Sequence, residues 1–379
     1  MCKIGILFEN RDFEHDVYEL IKAFYPEAEI HTLYENAEAE YDLRFSVERD
    51  NDSYIIKYER TENLSKQETE QKGVISADIL SKENAGCGIQ DAHALRKENK
   101  DNIKYALYQL LVKLTGRNLP WGNLTGIRPA KLAMGMIESG MKNTEAAREM
   151  RERYLVSPQK TALAITIANR EREILKDIDY ENGYSLYIGI PFCPSICLYC
   201  SFSSYPLKVW EKRTDEYVEA LCREVRETAL MMKGRKLDTI YIGGGTPTTL
   251  LPHQIRKLLD TVGEAFGYEG LAEFTVEAGR PDSITREKLM TIREYPVTRI
   301  SVNPQTMNQE TLDIIGRRHT VEQTKEAFRL ARELGYDNIN MDLIVGLPGE
   351  DIHMVERTLE QIRELAPDSI TVHSLAVKR

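Results

Sequence analysis

Three cysteines fall close together in Cys193-Pro-Ser-Ile-Cys197-Leu-Tyr-Cys200. Thiolates at this spacing can each take a vertex of one metal centre. A structural zinc site wants four ligands and usually joins two CxxC clips. His253, His319 or His373 can offer a fourth donor, yet none of them belongs to the local loop. Three thiolates on a [4Fe–4S] cluster instead leave one iron open, and an open iron is where chemistry happens. Iron–sulfur is the stronger reading, with zinc as its alternative. Cys2, Cys87 and Cys222 stand alone, so no disulfide framework is expected. Cys222, in LCREV, reads as a small buried apolar residue of an amphipathic helix.

Further along lie other residues suited to a site. Gly243-Gly244-Gly245-Thr246-Pro247-Thr248 ends an apolar strand. Glycines there either make a plain tight turn or let a ligand reach backbone amides and carbonyls. The run lacks the Lys-Ser/Thr of a phosphate-binding P-loop. Glu277 closes EFTVEA, where it is either a solvated strand end or a hydrogen-bonding group at a rim. Asp342 interrupts the apolar MDLIVG and is costly to bury without a partner. Arg317, in IGRRH, suits bidentate pairing with a carboxylate if it does not simply face solvent. Tyr187 stands on a strand, where a tyrosine is more often core.

The elements that must position these residues alternate in type. From Tyr184 onward the order is SLYIGI, then TDEYVEALCREVRETALMMK; DTIYIGGG, then PHQIRKLLDTVGEAF; AEFTVEA, then ITREKLMTIRE. TRISVN, a helix opened by Thr320, NINMDLIVG, VERTLEQIREL and SITVHSL complete the series. Thr320-Val-Glu-Gln323 is a capping box. Six strands with intervening helices imply parallel βαβ units with right-handed crossovers. The fold class is therefore α/β, a partial (β/α)6 TIM-type barrel over 180–379. The cysteines follow its first strand, at the C-terminal rim where such barrels carry function. The chain stops soon after strand six, so a C-terminal substrate-covering domain is expected to be absent.

Residues 1–100 read as a small α/β unit with a polar linker, and 101–179 as a helical segment. KIGILF, EIHTLY, YDLRFSV and SYIIKYE look like strands, with helical spacing from about Asp16 to Phe24. From Thr61 to Asn102 the chain turns polar and reads as a mixed region or linker. Leu107, Leu110, Leu111 and Leu114 line one helix face. LTGRNLPWGNLTGIRP breaks the helical run, and Ser157-Pro158 opens a helix to about 176. DYENGY follows as a boundary.

Composition excludes several classes. Lys plus Arg total 50 against 60 Asp plus Glu, a net charge of -10. A general binder of nucleic acid or anionic membrane needs a basic face, so neither partner is expected. A local basic pocket for an acidic small molecule remains compatible. MCKIGILFEN is no signal peptide, and no run reaches the roughly 18 apolar residues of a bilayer span. A cytoplasmic location is expected.

The CxxxCxxC spacing, with Tyr199 before the last cysteine, resembles the radical S-adenosylmethionine (SAM) superfamily. IPFCPSICLYC, GGGTPT, EFTVEA, ISVNPQT, IGRRH and MDLIVGLP, in this order, look like the oxygen-independent coproporphyrinogen III oxidase family. LTGIRP and the separate N-terminal part look most like its coproporphyrinogen dehydrogenase (HemZ) subgroup. The resemblance implies a [4Fe–4S] cluster on Cys193, Cys197 and Cys200, whose open iron holds the amino and carboxylate groups of SAM. Reductive cleavage of SAM then gives a 5′-deoxyadenosyl radical. By similarity Tyr187, Tyr199, Gly244 and Glu277 contact the first SAM. Gly245, Thr246, Gln305, Arg317, Asp342 and Ala376 match positions around a second molecule that some members bind. The implied reaction is oxidative decarboxylation of coproporphyrinogen III to protoporphyrinogen IX, with a tetrapyrrole substrate and an external electron donor such as flavodoxin or ferredoxin. Phe202 departs from the oxidases, which often carry another cysteine at that position. The family also contains haem chaperones without oxidase activity and enzymes that methylate and open haem, and both stand as alternatives.

Overall fold

The computed structural model describes residues 2–9, 11–34, 41–50, 53–64, 67–78 and 92–375. The chain divides into two compact units, Met1–Lys176 and Asp177–Arg379.

In the first unit β1 (Lys3–Phe8) is followed by α1 (Glu14–Phe24), β2 (Glu29–Leu33), β3 (Leu43–Asp50), β4 (Ser53–Leu64) and β5 (Gln67–Asp78). These strands form one sheet in the order β2-β1-β3-β4-β5. β1 runs parallel to β2 and β3, whereas β3, β4 and β5 pair antiparallel. The polar stretch after Thr61, expected as a mixed region or linker, therefore continues β4 and supplies β5. A hairpin satisfies its backbone by cross-strand bonds and needs little apolar side chain, so hydrophobic periodicity cannot announce it.

Next come α2 (Ala92–Thr115), α3 (Pro129–Glu138), α4 (Asn143–Glu152) and α5 (Pro158–Ile174). α2 begins earlier than its leucine pattern suggests, because the polar run of residues 96–102 interrupts that pattern. Leu107, Leu110 and Leu111 are buried with Ile4, Ile6 and Phe45 in one core. α3, α4 and α5 enclose a second around Ala133, Met150 and Ala164. Ser157 caps α5 by accepting from the Lys160 amide.

The second unit follows the alternation read from sequence. β6 (Gly183–Ile190) leads to the short strands β7 (Phe192–Cys193) and β8 (Tyr205–Pro206), then α6 (Leu207–Trp210) and α7 (Thr214–Met231). β9 (Lys236–Gly244), α8 (Pro252–Phe266), β10 (Glu273–Glu277), α9 (Arg286–Arg293) and β11 (Arg299–Ser301) follow. The remaining elements are α10 (Gln309–Ile314), α11 (Val321–Glu333), β12 (Ile339–Val345), α12 (Ile352–Leu365) and β13 (Ser369–Ser374). Six strands lie in the order β13-β12-β11-β10-β9-β6, with parallel pairing throughout. This is the partial barrel, open between β6 and β13. Its core packs Ile188, Ile242, Val276, Ile300 and Met341 from the strands against Val218, Leu258 and Phe328 from the helices. Cys222 is buried in this core. Among the described residues, no helix is long and apolar enough to cross a membrane.

Candidate functional site

Every strand of a parallel barrel delivers its last residue to the same rim, and the cysteine loop leaves that rim directly after β6. The loop is pinned at both ends, since β7 pairs with β8 and the Tyr205 amide donates to the Pro191 carbonyl at 2.7 Å. Its middle is tied to the turn after α10: the Leu198 amide donates to Ile315 O at 3.0 Å, and Ser195 Oγ to Gly316 O at 2.9 Å. Cys193 is buried, with its Sγ 3.6 Å from Thr246 Oγ1, while Cys197 and Cys200 are half-buried. Burial pushes the Cys193 thiol up, and the Thr246 hydrogen bond works against this. No three His, Cys, Asp or Glu side chains among the described residues are arranged to hold one metal ion. Three thiolates in one loop nevertheless offer the donor set that an iron–sulfur group takes, so the chemistry of the residues present fits it.

Arg280, not singled out from the sequence, is the charged group behind this loop. It is only 3% exposed and gripped by Asp282 through bonds of 2.9 and 2.7 Å. Its Nη1 donates to Ser195 O at 3.2 Å and Ser195 Oγ at 2.9 Å, and approaches Cys197 Sγ at 3.8 Å. Arg280-Pro-Asp282 after strand three was a legible signal, because a short Arg–Asp pair at a strand's C-terminal end faces the rim. Arg317 is buried too. Its Nη1 donates to Tyr199 Oη at 3.1 Å and its Nη2 to Asn303 O at 2.5 Å, while its Nε has no partner. Burial pushes the Tyr199 phenol up to about 12, against the pull of Arg317.

The glycine run ends β9 against β6 and the cysteine loop. Gly244 has φ 101°, and a Cβ there would lie 2.9 Å from Ile190 N and O. A Cβ on Gly245 would lie 2.7 Å from Phe192 O and 3.0 Å from Cys193 Sγ. The glycines thus let β9 pass the cysteine strand, a packing reason that stands whether or not a ligand also uses their backbone.

A second group lies along β6, β9 and β10. Tyr187 is 61% exposed and stacks on Tyr241, with ring centroids 5.8 Å apart and planes at 14°. Tyr241 Oη donates to Glu277 Oε1 at 2.5 Å. Burial is the main cause that pushes Glu277 up to about 7; the Tyr241 bond opposes it and the negative charge of Asp342 adds to it. Tyr241 was missed, although it precedes Gly243 by two and therefore shares its face.

Asp342 accepts from Asn340 Nδ2 at 2.7 Å, and Asn340 also donates to Ser301 Oγ at 3.1 Å. Ser301 Oγ in turn donates to Asn303 Oδ1 at 2.5 Å. Gln305 sits at φ 69°, held by its amide on Asp342 O (3.0 Å) and its carbonyl under the Ile344 amide (2.9 Å). Its Oε1 is buried without a partner. A non-glycine residue so held is strained, and strain of this kind gathers at functional sites. His319 is fully buried and neither ring nitrogen has a partner. Burial, then the positive charges of Arg317 and Arg280, drive it down to about 3, against Asp282. Its imidazole is therefore neutral. Ala376 lies outside the described residues.

The chain thus carries a three-cysteine loop after the first strand of a parallel partial barrel, and residues 187–362 match the Radical SAM superfamily. The chain also matches the oxygen-independent coproporphyrinogen III oxidase family, in a form like HemZ. It is 38% identical over 332 residues to the oxygen-independent coproporphyrinogen-III oxidase-like protein HemZ of Bacillus subtilis (84% of this chain, 65% of that protein). The heme chaperone HemW of the same organism is 39% identical over 195 residues, 51% of each chain. The oxygen-independent coproporphyrinogen III oxidase of Escherichia coli is 33% identical over 196 residues, 52% of this chain and 42% of that protein. The chain thus spans 65% of the length of the first relative and about half or less of the other two.

Proposed function

We propose that this chain is a radical SAM enzyme of anaerobic porphyrin synthesis, cytoplasmic and served by an external one-electron donor such as flavodoxin or ferredoxin. The observation that carries the proposal is the cysteine loop pinned to the barrel rim, with Arg280 and Thr246 hydrogen-bonding its sulfurs. Cys193, Cys197 and Cys200 would hold a [4Fe–4S] cluster, and the residues around it would hold SAM. The group supplies reductive cleavage of SAM to a 5′-deoxyadenosyl radical, chemistry no side chain can perform.

This chain's own residues then bind and orient. Tyr187 and Tyr241 offer a stacked, partly exposed aromatic face beside Glu277, which suits an adenosine with its polar edge on the carboxylate. Glu277 near neutrality can ionise when a cationic ammonium approaches, since an opposite charge favours its anion. Gln305 Oε1 and Arg317 Nε, both buried and unpartnered, supply one acceptor and one donor that a second SAM would satisfy.

The substrate is proposed as coproporphyrinogen III. A propionate side chain loses one hydrogen atom to the radical, then carbon dioxide and one electron, leaving a vinyl group; the electron passes to an external one-electron acceptor. The full chain, reconstituted with iron and sulfide under anoxia, should yield 5′-deoxyadenosine and a vinyl porphyrinogen. Nucleoside without vinyl product would remove the oxidase reading and leave the radical one standing.

The likeness to HemW favours one rival, a haem chaperone. Tight stoichiometric haem binding, absent for metal-free porphyrin and without decarboxylation, would select it. A methylated, ring-opened tetrapyrrole by mass spectrometry would select the haem-methylating alternative instead.

A further inference from the structure

The first unit carries a site that the radical chemistry does not use. α2 presents Lys97, Lys100 and Lys104 at spacings of three and four, hence on one helix face. The same cavity is lined by Arg128, the N-cap residue of α3 within the LTGIRP segment, and by Lys131 in the first turn of α3. Together these groups line a cavity of about 260 Å³.

The charges in it do not balance. Asp101 is the acidic residue of the lining, and it is already engaged by Arg153 Nη2 at 3.0 Å and Tyr154 Oη at 3.3 Å. Lys104, 6% exposed, donates to Thr125 Oγ1 at 2.8 Å and has Asp16 at 4.0 Å. Burial pulls its ammonium below the ordinary range, Asp16 opposing. Lys97, Lys100, Arg128 and Lys131 have no acidic partner among the described residues. The first turn of α3 adds to the same field: it holds no acidic residue, and Arg128 gives it no side-chain cap. An uncapped helix N-terminus beside several cations is a place where an anion is stabilised. Four uncompensated cations around one concavity are unusual in a chain of net charge -10.

From this convergence of cavity, unpaired cations and helix end, we propose that the cavity binds a phosphorylated small molecule, its phosphate groups seated between α2 and the N-terminus of α3. Leu124, Ile127, Leu132 and Tyr154 form the apolar part of the lining. They supply a wall for the organic part of the ligand, and Ile127 is 48% exposed there. Lysine ammoniums act as point charges that suit the dense charge of a phosphate, and Arg128, the single arginine of the lining, adds a guanidinium that can pair with it bidentately. The cavity is lined by residues of the first unit alone, so binding there is read separately from the porphyrin reaction.

The test is calorimetric titration of the full chain with inorganic pyrophosphate, adenosine diphosphate, citrate and a short single-stranded RNA. The double variant Lys100→Gln/Lys131→Gln is compared under the same conditions. Pyrophosphate and the nucleotide should bind one per chain, and the variant should bind both at least tenfold more weakly. The ligand-free variant should meanwhile melt at the same temperature or higher, because like charges have been removed. Weaker binding together with a lower melting temperature would mean that the lysines only support the fold, and the proposal is overturned. Equal binding by variant and parent overturns it as well. Citrate binding tighter than pyrophosphate, or RNA binding tighter than the nucleotide, replaces the ligand class.

Discussion

Arg280 touches the cluster loop through charge and hydrogen bonding at once, with Nη1 3.8 Å from Cys197 Sγ. Hydrogen bonds and positive charge at cluster sulfurs stabilise the more negative, reduced state. Removing Arg280 alone would leave the partly exposed Asp282 carboxylate unpaired beside the loop, so the informative variant is Arg280→Gln/Asp282→Asn, which deletes both charges. Its reconstituted cluster should keep full iron content but titrate at a more negative midpoint potential, read by electron paramagnetic resonance. An unchanged midpoint would falsify the idea that Arg280 tunes the cluster. Glu277 gives a prediction in pH. Its folded value is raised from 4.5 to about 7, so the stability its neutral form contributes is complete below about 4.5 and lost as pH rises through about 7. Glu277→Gln should abolish that decline in urea unfolding of the ligand-free chain, gaining at most about 3 kcal/mol at pH 8 over the parent. Tyr241→Phe deletes the one bond that favours the carboxylate and should steepen the decline.

At the scale of elements, the glycine run is decided by its neighbours. Gly244→Ala forces a Cβ to 2.9 Å from the Ile190 backbone at φ 101° and should cost about 1–3 kcal/mol, seen as a lower melting temperature. Gly245→Ala presses on the Phe192 carbonyl at 2.7 Å as well as on Cys193 Sγ at 3.0 Å, so it should lower both the melting temperature and the iron content per chain. Barrel strands such as β9 and β12 were legible because buried parallel strands are continuous apolar runs ended by glycine. The cysteines were legible because metal-binding loops are local in sequence. β5 was not, since Gln67–Asp78 has few apolar residues and gains its pairing from β4. The links from Arg280 to Cys197 and from Tyr241 to Glu277 join residues 83 and 36 positions apart. Such contacts exist only once the barrel has closed up its rim, and one sequence read alone has no term for them. Gln305 is the intermediate case: the family resemblance pointed to it, but its left-handed backbone and orphaned Oε1 appear only in the fold.

For the whole molecule, the buried apolar residues fall into clusters each drawn from one unit. Those around Ile6 and Ala133 belong to Met1–Lys176, and those around Ile242 and Leu312 to Asp177–Arg379. Each unit thus has apolar cores of its own, the condition for it to unfold as a separate block. Scanning calorimetry of the anaerobic full chain should therefore show two transitions. A ligand that binds only the folded form of one block stabilises that block alone, by about 2.7 kcal/mol at a hundredfold excess over its dissociation constant. Iron and sulfide reconstitution should accordingly raise one transition, and pyrophosphate the other. The Lys100→Gln/Lys131→Gln variant should lose the pyrophosphate shift and keep the iron-dependent one. A single transition raised by both ligands would show that the two units fold as one block, and that the anion cavity is coupled to the radical site rather than separate from it.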